Sequence, residues 1–162
     1  MIFQKKRNGS IPALQNPPAL HFEVIHQTLP LTVVYTTIES TLAALRYAAE
    51  LASQLEAQIR ILMIQTVPYS LPIDRPQVHP DFRVRQFLTR SANEPIETRI
   101  DIRLCRDAST CLLEALQPQS LVLIGTHRRF WFAREKGWGR ILKRAGHHVI
   151  FVREGQRVKP LQ

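Results

Sequence analysis

A glycine that follows an apolar, strand-like run is the clearest place for ligand chemistry in this chain. The run Leu121–Ile124 ends at Gly125, and residues 125–139 then read GTHRRFWFAREKGWG. α/β proteins commonly hold phosphate where a strand breaks at a glycine and leads toward a helix, because backbone N–H groups and the helix N-terminus attract anions. Here arginines and aromatics stand where a phosphate loop carries glycine, and neither GxxxxGK(S/T) nor GxGxxG occurs. The pattern predicts the position of a site and leaves its ligand open.

Arginine can take over from glycine as the group that grips an anion, since its guanidinium makes bidentate contacts with phosphate or carboxylate. Four arginines qualify: Arg128, Arg129, Arg134 and Arg140. Four aromatic side chains of the same segment can stack on a base: Phe130, Trp131, Phe132 and Trp138. The alternative for these aromatics is packing within the domain or against a second subunit. His127 can touch a phosphate or serve the turn structurally, and both interpretations stay open.

No catalytic set is predicted. No Ser-His-Asp or paired-carboxylate arrangement follows from the residue spacing. His147 and His148 are adjacent, so on a strand they point apart, which disfavours a shared metal. Cys105 and Cys111 are the only cysteines, too few for a disulfide framework, and we expect Cys111 to pack as a small apolar side chain. The sequence therefore does not indicate an enzyme.

The elements that position these residues alternate between short apolar strands and amphipathic helices. Five segments are predicted to be strands: LTVVY, IRILMIQTV, ETRIDIRL, Leu121–Ile124 and Val149–Val152. Four are predicted to be helices: Ile38–Ala57 with Thr37 or Ser40 as its cap, Asp81–Arg90, Ser109–Leu116 with Asp107 as its cap, and a last helix that includes Arg140–Ala145. The order βαβαβαβαβ predicts an α/β fold with a doubly wound parallel sheet.

Length and composition indicate one domain, spanning residues 31–154. Residues 1–30 are predicted to form a flexible, basic, proline-containing tail, in which His21–Gln27 can add an edge strand, and residues 155–162 a short C-terminal tail. The longest apolar runs fall far short of the roughly 20 residues that span a bilayer, and no apolar region follows the basic N-terminus as in a secretory signal. We therefore expect a soluble, cytoplasmic protein.

The positive charge is concentrated near the C-terminus. The chain has a net charge of +9, with 12 Lys and Arg against 11 Asp and Glu in residues 1–126, but 10 against 2 in residues 127–162. A basic segment such as residues 127–159 can collect anionic partners, including nucleotides, nucleic acid and acidic proteins. The alternative is a solvated basic face without a dedicated ligand.

Two longer segments resemble universal stress proteins. LVLIGTHRRFWFAREKGWGRILKRAGHHVIFVR resembles the C-terminal half of that domain, in which a strand ends in Gly-Ser/Thr-His-Gly and a nine-residue loop leads to Gly-Ser. LTVVYTTIESTLAALRYAAELA resembles its first strand and helix, so the resemblance runs from Leu31 to Arg153. It implies an α/β, Rossmann-like fold with a doubly wound five-stranded parallel sheet of strand order 3-2-1-4-5. It also implies a cytoplasmic stress-response protein that acts by binding.

The resemblance also identifies candidate nucleotide-binding positions. Thr36 stands where the family has an Asp that contacts adenine. Gly125, Thr126 and His127 match the start of the family's ATP loop, whereas Arg128 replaces its second glycine. The resemblance therefore implies a nucleotide site that is altered on both sides.

The far end of the loop has two alignments. Counting nine residues from the position of the second glycine brings Gly139 into the Gly-Ser pair, while counting back from the following helix brings Glu135 and Lys136 there. Either alignment loses most of the glycines that bind triphosphate. The family contains members that bind ATP and members that do not, and this chain resembles the second kind.

The leading hypothesis is a binding or regulatory protein without a tightly held ATP or other cofactor, acting through dimerisation and partner contacts. The resemblance implies a homodimer, and the last strand, His148–Arg153, is the expected pairing edge, since an apolar edge strand invites a partner. One alternative is a nucleotide binder that uses Arg128 and Arg129 to hold ATP or AMP, with at most slow ATP hydrolysis. A second alternative is an RNA- or polyanion-binding module that uses residues 127–159.

Overall fold

The structure, a computed structural model, describes residues 31–55, 57–94, 96–127 and 133–155. Strands and helices alternate along this part of the chain. The strands are β1 (Leu31–Val34), β2 (Ile59–Thr66), β3 (Thr98–Cys105), β4 (Leu121–Thr126) and β5 (His148–Arg153). The helices are α1 (Ile38–Leu55), α2 (Pro80–Ser91), α3 (Ala108–Glu114) and α4 (Ala133–Arg144). The predicted βαβαβαβαβ order is confirmed.

All neighbouring strands are parallel, and their order is β3-β2-β1-β4-β5. β1 lies at the centre, where Leu31 pairs with Ile59 on one side and with Leu121 on the other. The predicted strand order 3-2-1-4-5 is therefore confirmed. The chain moves outward through β2 and β3, then returns to β4 and β5 on the other side of β1. This reversal makes the ends of β1 and β4 the topological switch point, where open α/β sheets bind their ligands.

Two hydrophobic clusters cover the two faces of the sheet. On one face, Val33 and Ile61 pack with α1 and with Phe87 of α2. On the other face, Val34 and Leu62 pack with α3 and α4. All four residues of β1 are buried, as expected for a central parallel strand covered by helices on both faces.

The predicted caps are present at two helix starts. Thr37 precedes α1, and its Oγ1 accepts a 3.2 Å hydrogen bond from the Ser40 N–H, so Thr37 is the capping residue. Asp107 precedes α3 and accepts a 2.7 Å hydrogen bond from the Thr110 N–H. That hydrogen bond holds the pKa of the Asp107 carboxyl below its usual range.

The start of the last helix differs from the sequence prediction. The turn after β4 was expected to extend to Gly139, but α4 begins at Ala133, so Gly137 and Gly139 lie inside the helix. Helix α1 ends at Leu55, two residues before the predicted end at Ala57. The predicted tails lie outside the described residues, apart from Gly155, and so does His21–Gln27. None of the described helices is long and apolar enough to cross a membrane.

Candidate functional site

Thr36 and Gly125, predicted from distant parts of the sequence, meet at the switch point. The Thr36 hydroxyl donates a 3.0 Å hydrogen bond to the Gly125 carbonyl. The Thr36 N–H donates to Thr41 Oγ1 at 3.1 Å, which joins the end of β1 to the first turn of α1. Both hydrogen-bond donors of Thr36, its N–H and its hydroxyl, are therefore used within the protein.

Gly125 is required by the packing of α1 on β4. A methyl group at this position would lie 1.9 Å from the backbone oxygen of Ser40. Any larger residue would therefore push the first turn of α1 away from the sheet. The sequence interpreted this glycine as the start of a phosphate loop, and the structure adds a steric reason for its presence.

The main polar cluster at this edge contains Ser40, His127 and Glu154. The Ser40 hydroxyl, which is buried, donates a 2.6 Å hydrogen bond to Glu154 Oε1. His127 Nε2 lies 3.7 Å from Glu154 Oε2, and the Glu154 N–H donates to the Thr126 carbonyl at 3.1 Å. The carboxylate thus bridges the start of α1 and the end of β4.

Sequence reasoning placed Ser40 at the start of α1, as a candidate cap, but missed Glu154 as a site residue. The signal that was available is the pairing of β4 with β5, in which Thr126 is opposite Arg153. That register brings the residue after Arg153 to the switch point. The sequence predicted both strands but did not extend the pairing to the residue beyond them.

Thr126 points away from the candidate site. Its side chain is buried, and its hydroxyl donates a 3.3 Å hydrogen bond to the Val152 carbonyl on β5. His127 is the last described residue before the gap, and 44% of its side chain is exposed. Of these two predicted residues, His127 alone belongs to the polar cluster.

The other predicted positions separate into two groups. Arg128 and Arg129 lie outside the described residues, as do the aromatics at 130–132, so their proposed roles stay predictions. Gly139 lies in α4, where its Cα faces the ring of Phe151. Its assignment to a loop is wrong because the packing of α4 on β5 makes this segment helical.

Trp138 belongs to the hydrophobic core. It packs with Val34, Leu112 and Leu142, and only 5% of its surface is exposed. The Arg134 guanidinium lies 4.9 Å from the centre of its ring. The proposed role of Trp138 as a base-stacking residue is therefore wrong, since its ring is already covered by other elements.

Two carboxylates make the switch-point edge less basic than the sequence suggests. Glu154 is one, and the other is Glu135 in the first turn of α4, which begins at this edge after β4. The Glu135 side chain is buried, with Oε1 3.6 Å from Arg134, and its Oε2 has no hydrogen-bond partner in the described part of the chain. Glu135 and Glu154 are also the two acidic residues of the basic segment. The negative charge of that segment is therefore concentrated at the switch-point edge.

An aromatic pair supports the end of β1. Tyr35 packs edge-on against Phe87 with ring centroids 6.0 Å apart. Burial raises the pKa of the Tyr35 hydroxyl above its usual range, so the residue stays neutral. No three His, Cys, Asp or Glu side chains come together as candidate metal ligands in the described ranges.

Comparison with solved structures relates this architecture to universal stress proteins. UspA from Lactobacillus plantarum superposes with a TM-score of 0.54 at 15% sequence identity, over 78% of this chain and 98% of that protein. The universal stress protein from Archaeoglobus fulgidus in complex with dAMP gives a TM-score of 0.54 at 14% identity, over 76% and 97%. No family model and no curated protein matches the sequence. The described domain therefore has the fold of the universal stress proteins.

Proposed function

We propose that this protein is a universal-stress-type binding or regulatory protein that does not hold ATP tightly and acts through dimerisation and partner contacts. The resemblance of its sequence further supports a role in the cytoplasmic response to stress. The observation that carries the proposal is the Glu154 carboxylate at the switch point, hydrogen-bonded to the buried hydroxyl of Ser40. A triphosphate at this edge would face that negative charge.

Two features of the edge support weak ATP binding. The Thr36 hydroxyl is engaged by the Gly125 carbonyl, so it has no second proton to offer a ligand. Glu154 is fixed by Ser40 on one oxygen and lies beside His127 on the other. Like charges at short range repel even when partly exposed to water, and ATP would have to overcome this repulsion or displace the carboxylate.

The proposal is tested by the thermal stability of the protein with ATP. A ligand present at about 100 times its Kd stabilises the folded state by about 2.7 kcal/mol, which raises Tm by roughly 5–10 °C in a domain of this size. With millimolar ATP and magnesium we expect no such shift. A rise of that size, together with ATP released on denaturation of the purified protein, would contradict the proposal.

Glu154→Gln isolates the charge in this experiment. The amide oxygen still accepts the hydrogen bond from Ser40, while the negative charge is removed. We therefore expect ATP to raise Tm more in this variant than in the wild type. A variant that gains no response to ATP would show that the carboxylate is not what excludes the nucleotide.

A second candidate is a nucleotide binder that uses Arg128 and Arg129. The Archaeoglobus fulgidus protein, which shares the fold, was solved in complex with dAMP, and a monophosphate carries less charge past Glu154 than ATP does. If this candidate is right, AMP or dAMP should raise Tm, and the double variant Arg128→Ala and Arg129→Ala should abolish the shift. Arg144→Ala is the matched control, because Arg144 is exposed in the last turn of α4, away from the switch point.

A further inference from the structure

A groove of about 310 Å³ lies between α4 and β5, and its lining includes none of the switch-point residues Ser40, Gly125 and Glu154. It is lined by Lys136, Gly139, Arg140, Lys143 and Phe151. The three cations are four and three residues apart, so they share one face of α4. Along the helix axis they span about 10 Å.

Phe151 forms the floor of this groove. Its ring fits against Gly139, where a methyl group would lie 2.2 Å from the ring Cζ. The Lys143 ammonium lies 5.7 Å from the centre of the ring, a distance typical of a cation–π contact. A glycine in the middle of the helix thus lets an aromatic ring reach a row of cations.

Two of the three cations in the groove stand apart from the carboxylates of the described residues. Arg140 and Lys143 form no ion pair with any carboxylate of the described residues. The two acidic residues of the basic segment are engaged elsewhere, Glu135 in a buried position next to Arg134 and Glu154 with Ser40. The groove therefore presents a positive field above a partly buried aromatic ring.

We propose that this groove binds a single-stranded nucleic acid, with its phosphates on the three cations and a base or sugar against Phe151. A row of cations about 10 Å long matches a chain of phosphates better than a single carboxylate. The volume of the groove is at the low end of the range for small-molecule pockets, as expected for a surface that holds only part of a longer ligand. A basic groove with an aromatic platform is the combination that binds single strands without sequence preference.

This site goes beyond the proposed function and is independent of it. Its residues lie on α4 and β5, whereas the switch point involves Ser40, Gly125 and Glu154. Loss of nucleic-acid binding in groove variants would leave the ATP experiment unchanged, and ATP binding would leave the groove unchanged. The two proposals can therefore fail separately.

The test measures fluorescence anisotropy of a fluorescein-labelled oligouridylate of about 12 nucleotides, within the range that one such module covers. Three phosphate contacts on a single strand predict that log affinity falls with log salt at a slope of about −2. Between 50 and 200 mM salt, that slope corresponds to a loss of affinity of roughly twentyfold. A slope near zero, or no binding at 50 mM salt, would overturn the proposal.

The groove is tested by the triple variant Lys136→Gln, Arg140→Gln and Lys143→Gln. We expect it to lose at least about tenfold in affinity at 50 mM salt, with a slope close to zero. The matched control is Arg83→Gln, Arg85→Gln and Arg90→Gln, which removes three exposed charges from α2 on the other face of the sheet. Equal losses in both triple variants would show diffuse attraction to a basic protein and overturn the site.

Phe151→Leu separates a nucleic acid from other polyanions. The variant keeps an apolar side chain against Gly139 and removes the aromatic ring, so we expect about fivefold weaker binding of the oligonucleotide. Binding of inorganic polyphosphate, which has no bases, should be unchanged. Wild-type protein that binds polyphosphate but not the oligonucleotide overturns the proposal. Circular dichroism of each variant checks its fold, and Arg140→Gln alone replaces the triple variant if that one is unfolded.

Discussion

Ser40 and Glu154 are 114 residues apart in the sequence, and their side chains meet at 2.6 Å. Glu154 follows β5, Ser40 lies in the first turn of α1, and Gly125 on β4 allows α1 to approach closely enough for the contact. A single glycine therefore sets the geometry of the polar cluster. The same residue that suggested a phosphate loop brings a carboxylate to the position where a phosphate would be expected.

Cys105 offers a prediction about pH. Burial, and then the Cys111 thiol beside it, raise the pKa of the Cys105 thiol to about 12. In the unfolded chain a thiol ionises near pH 8.5, so the folded state holds its proton over a range in which the unfolded state loses it. The contribution of Cys105 to the free energy of unfolding is therefore full below about pH 8.5 and is lost as the pH rises toward 12.

Urea unfolding checks this prediction: between pH 8 and pH 11 the free energy of unfolding of the wild type should fall relative to that of Cys105→Ser. The burial that raises the pKa is checked with a disulfide reagent such as Ellman's reagent at pH 8. In Cys111→Ser, whose remaining cysteine is Cys105, we expect slow reaction in the folded protein and fast reaction in urea, because the thiolate is the reactive species. Cys105→Ser, which keeps the half-buried Cys111, is the control. Equal rates for Cys105 in the folded and denatured protein would contradict the raised pKa.

At the residue scale, the sequence predicted part of the site. Gly125 was predicted from the strand that breaks there, and Thr36 from the resemblance to universal stress proteins. The structure brings them together because carboxyl ends of neighbouring parallel strands share one edge. Glu154 was missed because its role depends on the register of β5 with β4, and Trp138 was misassigned because burial depends on which face of α4 meets α3. The local sequence determines neither the register of β5 with β4 nor the face of α4 that is buried.

At the element scale, α4 shows how packing overrides local propensity. Two glycines at 137 and 139 each cost about 1 kcal/mol in a helix interior relative to alanine, so the sequence favoured a loop up to Gly139. The helix nevertheless begins at Ala133, because its residues Trp138 and Leu142 are buried against α3 and the sheet. Burial of such side chains contributes roughly 1.5–3 kcal/mol each, which exceeds the cost of the glycines.

The two glycines are expected to respond oppositely to substitution. Gly137→Ala has no atom within 4 Å of the added methyl group, so it should raise Tm by roughly 2–4 °C, as a gain of about 1 kcal/mol in helix propensity implies. Gly139→Ala would place its methyl 2.2 Å from Phe151. Overpacking of this kind typically costs about 1–3 kcal/mol, so the variant should be less stable than Gly137→Ala.

Thermal unfolding of both variants checks this prediction. The same substitution in a Phe151→Ala protein shows whether the clash with the ring is the cause. In Phe151→Ala the clashing ring is absent, so Gly139→Ala should become stabilising there, as Gly137→Ala is in the wild type. If Gly139→Ala stabilises the wild type as much as Gly137→Ala does, the Phe151 ring does not occupy the space beside Gly139. Phe151 would then not form the floor of the groove.

At the scale of the whole molecule, the fold was the most predictable feature. The order of elements follows from periodicity, because the strands are short apolar runs and α1 repeats its apolar residues every three to four positions. The strand order came from resemblance to universal stress proteins, and the parallel pairing confirms it. Which side chains meet across that sheet depends on packing between distant elements, so the site was less predictable than the fold.

The exposed edge of the sheet leads to the proposed dimer. Among the described residues β5 pairs only with β4, which leaves its outer edge for a second copy. The His148 and Glu154 N–H groups both donate to carbonyls on the β4 side, and since successive residues of a strand alternate, the Val149 N–H points outward. A partner strand would use this group.

Val149→Pro tests this edge with little effect on the fold. Proline removes the outward N–H of Val149, and edge strands tolerate proline at positions whose N–H faces outward. We expect the wild type to be a dimer and this variant a monomer by size-exclusion chromatography with light scattering at micromolar concentrations. Val149→Ala is the control, because it loses side-chain contacts but keeps the N–H, and it should remain a dimer. A dimeric Val149→Pro would assign the interface to another surface, and a monomeric wild type would remove dimerisation from the proposed function.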